Sequence, residues 1–198
     1  MSIPFANPAL LRRLRIGLFG GTFDPVHPGH LHLAQAARRA CRLHAVWWLV
    51  SPGHWMKSPP QETIGDRIAR IRRLTPDPAM VPTDLEAHLG TTSTWQTTQQ
   101  LQTRFAGTRF VWIMGADNLS DLSRWIDWQR LAGTLPLFIA GRPGITHASL
   151  RGAAARRLAA KRLRKPAHLC HHQTPAWFMA PQHNQPHASR LLRGTPAR

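Results

Sequence analysis

Two imidazoles three residues apart, His27 and His30, close a segment that reads Gly20-Gly21-Thr22-Phe23-Asp24-Pro25-Val26-His27-Pro28-Gly29-His30. Residues of these types at this spacing suit phosphate binding. The two glycines let backbone come close to a ligand and expose N–H groups, and a helix opening near Pro28 aims its positive end at the same space. His27 and His30 then fall at that helix's first turn, where both rings can donate to one phosphate. Other chemistries fit less well. Gly-Gly after a strand is also ordinary turn chemistry. His27, His30 and His32 lack a carboxylate or cysteine at metal-ligand spacing, so no protein-built metal site is expected. A Walker loop is excluded because no Gly-Lys-Ser/Thr follows. Cys41 and Cys170 match no C-x-x-C spacing and read as two reduced, partly buried thiols.

The elements that must position this segment follow from the hydrophobic pattern. Residues 15–19 read as a short buried strand ending at Gly20, and residues 31–41 as an Ala-rich helix. Residues 45–50 are a second apolar strand, and residues 62–74 a helix with Ile64, Ile68 and Ile71 in one buried stripe. A strand at 80–83, a helix at 94–104 and a strand at 110–114 ending in Gly115 come next. Then follow a Trp-rich helix at 124–131, a strand at 136–140, a basic helix at 150–163, and short apolar segments at 167–170 and 176–180. Strands alternating with helices predict a parallel sheet covered on both faces. In such a sheet ligands sit at the carboxyl ends of strands, after Phe19, Val50, Met114 and Ala140.

A length of 198 residues allows one domain, here residues 1–180, followed by a tail at 181–198 rich in Pro, His and Gln and expected to be flexible. The hydrophobic fraction of 42% excludes disorder and collagen. The longest apolar run, residues 45–50, is far too short to cross a membrane, and the amino terminus lacks a secretory apolar core; a soluble, cytoplasmic protein is expected. The charge of +17 points to anionic partners, either nucleic acid or phosphorylated metabolites. After Asp127 the chain carries twelve Lys or Arg and no acid, which reads either as a basic face or as solvated helix surface.

The whole segment from Gly20 to His30, with its H-x-G-H ending, resembles the signature of the nucleotidylyltransferase superfamily, and within it the bacterial nicotinate-nucleotide adenylyltransferases. The likeness extends to roughly residue 143. It includes Ser51-Pro52 with Lys57, Asp84-Leu85-Glu86, Gly115-Ala116-Asp117-Asn118 with Trp125 and Trp128, and Gly141-Arg142-Pro143-Gly144. The resemblance implies a Rossmann-like, doubly wound α/β fold and one reaction: the phosphate of nicotinate mononucleotide attacks the α-phosphate of ATP, giving deamido-NAD and pyrophosphate. It implies that His27 and His30 act on the triphosphate, that Gly20, Gly21, Thr22, Phe23 and Lys57 border ATP, and that magnesium accompanies the ATP phosphates. It also implies that Thr94, Gly115, Asp117, Trp125 and Arg142 serve the mononucleotide, with Trp125 stacked on the pyridine ring and Arg142 paired with the phosphate. On pattern alone, Trp125 reads sooner as core than as a ligand platform and Arg142 and Lys57 as solvated surface, while Asp117 reads equally as a ribose contact or as a cap of the following turn.

The carboxyl terminus departs from the family's second signature. Of I-S-S/A-T-x-x-R, only Ser189 and Arg193 remain as candidates to grip ATP, and Ser93 replaces the tyrosine usual before Thr94. Amide-mononucleotide and pantetheine-phosphate adenylyltransferases share H-x-G-H, and a nucleotide-binding relic of low activity is a further alternative. A basic nucleic-acid module would account for the charge but not for Gly20 to His30, and no RRM or OB signature is present; no specific nucleic acid is expected.

Overall fold

The computed structural model describes residues 8–53, 60–142 and 144–181. Lys57, Pro143, Ser189 and Arg193 lie outside the described residues, as does nearly all of the 181–198 tail. Six strands form one sheet: β1 (Arg15–Gly21), β2 (Ala45–Val50), β3 (Met80–Thr83), β4 (Arg109–Gly115), β5 (Leu137–Ala140) and β6 (Trp177–Ala180). Their order is β3-β2-β1-β4-β5-β6 and every pairing is parallel. The chain grows outward from β1 in one direction, then returns to β4 and grows in the other. This is a doubly wound α/β sheet, and its crevice opens where the directions diverge, beyond the carboxyl ends of β1 and β4.

Each strand is apolar on both sides because helices cover both faces of the sheet. Leu18, Trp47, Leu49, Trp112 and Met114 pack into one core layer. Their strand neighbours Phe19, Trp48, Val50, Val111 and Ile113 pack into the other, as the two-residue alternation of a strand requires. Gly17 is fixed by this packing: a Cβ there would stand 2.5 Å from the Ile113 side chain.

The helices are α1 (Pro28–Ala40), α2 (Ile64–Leu74), α3 (Leu85–Leu89), α4 (Thr94–Arg104), α5 (Ala116–Asp121), α6 (Trp128–Thr134), α7 (Thr146–Leu150) and α8 (Ala153–Arg157). Helix α4 spans the expected residues because Ser93 caps it, its hydroxyl accepting from the Gln96 N–H at 3.3 Å. Helix α1 opens at Pro28, the residue that marks its start in the sequence, with His27 as its cap residue. Helix α2 starts at Ile64 because Thr63 caps it.

Two expected helices differ. The Trp-rich window at 124–131 is broken: a 3₁₀ turn over Leu122–Arg124 ends in extended backbone at Trp125, Asp127 takes a left-handed φ of 55°, and α6 begins only at Trp128. The basic window at 150–163 divides into α7, α8 and a 3₁₀ turn, because Gly152 is extended and interrupts the helical backbone. Residues 167–170 belong to a 3₁₀ helix over Pro166–His171, and 176–180 supply the edge strand β6. The pattern did not indicate α3 and α5, each six residues or fewer. Among the described residues, no helix is long and apolar enough to cross a membrane.

Candidate active site

The loop after β1 is held from three sides. Phe23 sits at a left-handed φ of 51°, a conformation that costs a bulky residue about 1–3 kcal/mol unless its surroundings enforce it. Here they do: its ring lies 5.1 Å from Phe19, 5.1 Å from Trp48 and 5.3 Å from the His30 imidazole, centroid to centroid. Asp24, buried, accepts from the Gln61 N–H at 2.9 Å. From α2, the guanidinium of Arg67 is 1% exposed and donates to the carbonyls of Thr22 at 2.6 Å and Ser51 at 2.9 Å. Its Nε reaches the Glu62 and Thr63 carbonyls. Burial lowers the Arg67 pKa while Asp24 and Glu62 oppose that shift. One cation thus ties the loops after β1 and β2 together.

His27 and His30 meet at the start of α1. Their ring centroids are 3.8 Å apart with planes inclined by 31°. The His30 backbone N–H donates to the His27 carbonyl at 2.9 Å, and His30 Nδ1 accepts from the His27 N–H at 3.3 Å. An imidazole that accepts at Nδ1 carries its proton on Nε2, so a neutral His30 is set as an Nε2–H donor. His27 is 2% exposed and His30 half-buried.

Beside this corner an open cavity of about 180 Å³ lies at the carboxyl ends of the central strands. Gly20, Gly21 and Thr22 border it from β1, and Ser51, Pro52 and Gly53 from the loop after β2. Trp112 of β4 also lines it, and it explains Gly20: a Cβ there would stand 2.5 Å from the indole. Gly20 is therefore required first by an aromatic ring on the next strand. The opposite rim carries Asn118, Trp125 and Ile126. The Trp125 indole stands edge-on to Trp112, centroids 6.4 Å apart at 88°, and it is half-buried. The break in the expected Trp-rich helix is what puts Trp125 on this rim.

The third wall comes from α3, α4 and the turn between them: Glu86, Thr91, Thr92, Ser93, Thr94 and Thr97. Its hydroxyls tie to one another, Thr91 Oγ1 lying 2.6 Å from Thr97 Oγ1 and Thr92 Oγ1 donating to Gln96 Oε1 at 3.0 Å. Thr97 is buried and also donates to the Ser93 carbonyl at 3.2 Å. Burial pushes the Glu86 carboxyl up to about 7.

Of the residues singled out from sequence, Gly20, Gly21, Thr22, Thr94 and Trp125 border this cavity. His27, His30 and Phe23 form the adjoining corner. Gly115, Asp117 and Arg142 make a separate cluster at the ends of β4 and β5: Arg142 Nε lies 3.8 Å from Asp117 Oδ1. Gly115 occupies the cap position of α5 and Asp117 lies inside the helix's first turn, so Asp117 is not the cap residue. Gly115 gives it room, since a Cβ there would meet Asp117 Oδ1 at 2.4 Å. The site reading did not include Arg67, Trp112 or Glu86. Arg67 was detectable, standing three residues after Ile64 on the same helical stripe as Ile68 and Ile71.

The family model described as cytidylyltransferase-like matches residues 18–190. A Cereibacter sphaeroides protein named probable nicotinate-nucleotide adenylyltransferase is 45% identical over 162 residues, 82% of this chain and 87% of that protein. A Gluconobacter oxydans protein of the same name is 47% identical over 143 residues, 72% of this chain and 73% of that one. Among solved structures, Plasmodium falciparum nicotinic acid mononucleotide adenylyltransferase complexed with NaAD superposes with a TM-score of 0.63 over 90% of this chain and 78% of its own, at 17% identity, a likeness of fold. By the extent of the model match and the identity and coverage of these relatives, the chain belongs to the cytidylyltransferase-like family and, within it, to the nicotinate-nucleotide adenylyltransferases.

Proposed function

We propose that the chain transfers the adenylyl group of ATP to nicotinate mononucleotide, in the cytoplasm, yielding deamido-NAD and pyrophosphate. The observation that carries this reading is the stacked His27–His30 pair beside a cavity rimmed by Trp125, both at the divergence point of the sheet. In the reaction a phosphate oxygen of the mononucleotide forms a bond to the α-phosphorus of ATP while the bond from that phosphorus to the β-phosphate bridge breaks. The attacking oxygen is already anionic, so no protein nucleophile is needed. The protein's work is to place two substrates in line and to stabilise the charge that gathers at the α-phosphate.

His30 donates from Nε2 to the triphosphate, and His27 packs against it; such a preset donor contributes about 3 kcal/mol to the transition state. The backbone of residues 20–23 borders the nucleotides, held by Arg67 so that it need not reorganise on binding. Trp125 offers the pyridine ring an aromatic face, and Thr94 sits on the wall beside it. Arg142, whose guanidinium is shared with Asp117, serves the mononucleotide phosphate from the far side of β4. Magnesium enters with ATP: the donors of the corner are N–H groups, which suit phosphate oxygens, so the ion would be held by phosphates and water. Pyrophosphate release from ATP, measured with the acid and the amide mononucleotide in turn, tests the reading. Rapid release with the acid is expected, and release with neither would overturn it.

A further inference from the structure

The third wall of the cavity holds one group that the mechanism above does not use. Among the described residues lining the cavity, Glu86 is the only ionisable one. Most hydroxyls beside it on the wall are already engaged, Thr91 with Thr97, Thr92 with Gln96 and Ser93 with the first turn of α4, and Thr94 lines the cavity beside them. The Glu86 carboxyl has no hydrogen bond or ion pair with any described residue, in a chain where basic residues outnumber acids 26 to 9. A carboxyl left without a cation in a cavity wall is available to a polar group that enters the cavity.

We propose that Glu86 determines which mononucleotide the pocket accepts, its neutral carboxyl donating a hydrogen bond to the substrate's pyridine carboxylate. The inference rests on the proposed reaction and names a recognition element for it. Ionised, Glu86 would face a like charge across the cavity and repel the acid substrate, while still accepting from the N–H₂ of an amide. The acid mononucleotide is therefore favoured only while Glu86 keeps its proton. Burial holds that proton on up to a pH of about 7. Little else charged faces it. On α3, Asp84 and His88 pair with each other on the exposed side. Of the elements packed against α3, β2 has no charged residue, and α4 has only Arg104 at its far end.

The test is the ratio of kcat/KM for nicotinate mononucleotide to kcat/KM for nicotinamide mononucleotide, followed from pH 6 to 9. The ribose phosphate titrates in both substrates and cancels, and the pyridine carboxylate is ionised throughout. For wild type the ratio should fall about tenfold per pH unit above 7, the slope of one proton, through KM for the acid, with KM for ATP unmoved. Glu86→Gln, which keeps a donor and loses the proton, should give a flat ratio. A flat ratio in wild type, or the same slope in Glu86→Gln, overturns the proposal while the reaction stands. Turnover of neither mononucleotide overturns the reaction and the proposal with it. Calorimetry of wild type at pH 8 in two buffers of different ionisation enthalpy gives a readout independent of turnover and of the variant's folding. Binding of nicotinate mononucleotide should take up close to one proton and binding of the amide none; equal uptake for the two refutes the role of Glu86.

Discussion

The corner between β1 and α1 and the wall between α3 and α4 both border the crevice at the strand ends, yet they are held in opposite ways. The corner is fixed by long-range contacts. Arg67 reaches it from α2, Trp48 of β2 packs against Phe23, and the Trp112 ring occupies the space a side chain at residue 20 would need. The wall is fixed by short-range ones, hydroxyl to hydroxyl and hydroxyl to backbone within residues 91–97. On the proposed reading, a charged, crowded phosphate needs donors that do not move, which the core-held corner would offer, and an aromatic acid needs selectivity, which Glu86 among fixed hydroxyls would offer.

This contrast can be broken most forcefully at Arg67. Arg67→Met leaves Asp24 without its buried cation and the Thr22 and Ser51 carbonyls without donors, so unfolding free energy should drop by about 3–5 kcal/mol, read by denaturant melts. A loss below 1 kcal/mol would show that the corner does not depend on its distant tether. Next comes His30→Ala, at the opening of α1 and half-buried. Turnover should fall at least about 100-fold with the melting temperature nearly unchanged; more than a tenth of wild-type turnover would remove His30 from the chemistry.

The wall should respond more gently and to pH. In the unfolded chain Glu86 ionises near its ordinary value, about 4.3, whereas in the fold it holds its proton to about 7. The native state therefore binds more protons between those values, and stability must fall as pH rises through that window. Glu86→Gln lacks this loss. Relative to wild type it should gain about 1–2 kcal/mol on going from pH 4 to pH 8, a figure below full linkage because the residue is partly exposed. A pH-independent difference between the two proteins would show that Glu86 ionises normally. The smallest effect is expected at the rim. Trp125→Ala should raise KM for nicotinate mononucleotide by up to about tenfold, the worth of one aromatic contact, with KM for ATP nearly constant. Equal changes in both constants would make Trp125 part of the scaffold.

Local chemistry made the corner readable in advance. Gly-Gly after an apolar run, Pro28 at the start of a helix and histidines at 27 and 30 act over a few residues, and the structure places them as that spacing requires. The wall was less readable. Ser93 and Thr94 could be placed at the start of α4, but the burial of Glu86 depends on α3 packing against β2 and α4, which no window of sequence records. Trp125 was assigned to a helix because Trp and Arg at 124–131 satisfy helical spacing; the left-handed Asp127 that breaks it is a non-glycine in a conformation that composition does not reveal.

The sequence by itself determined the alternation of strands and helices, hence the parallel sheet, and the segment from residue 20 to 30 that marks its ligand end. Those follow from period, turn chemistry and capping, all of them forces between near neighbours. Tertiary structure alone decided that Gly20 makes way for Trp112, that Arg67 serves as a buried tether, and that the Glu86 carboxyl is pushed up to about 7. Each of these depends on which groups, distant along the chain, exclude water from one another, and that is set only when the sheet closes.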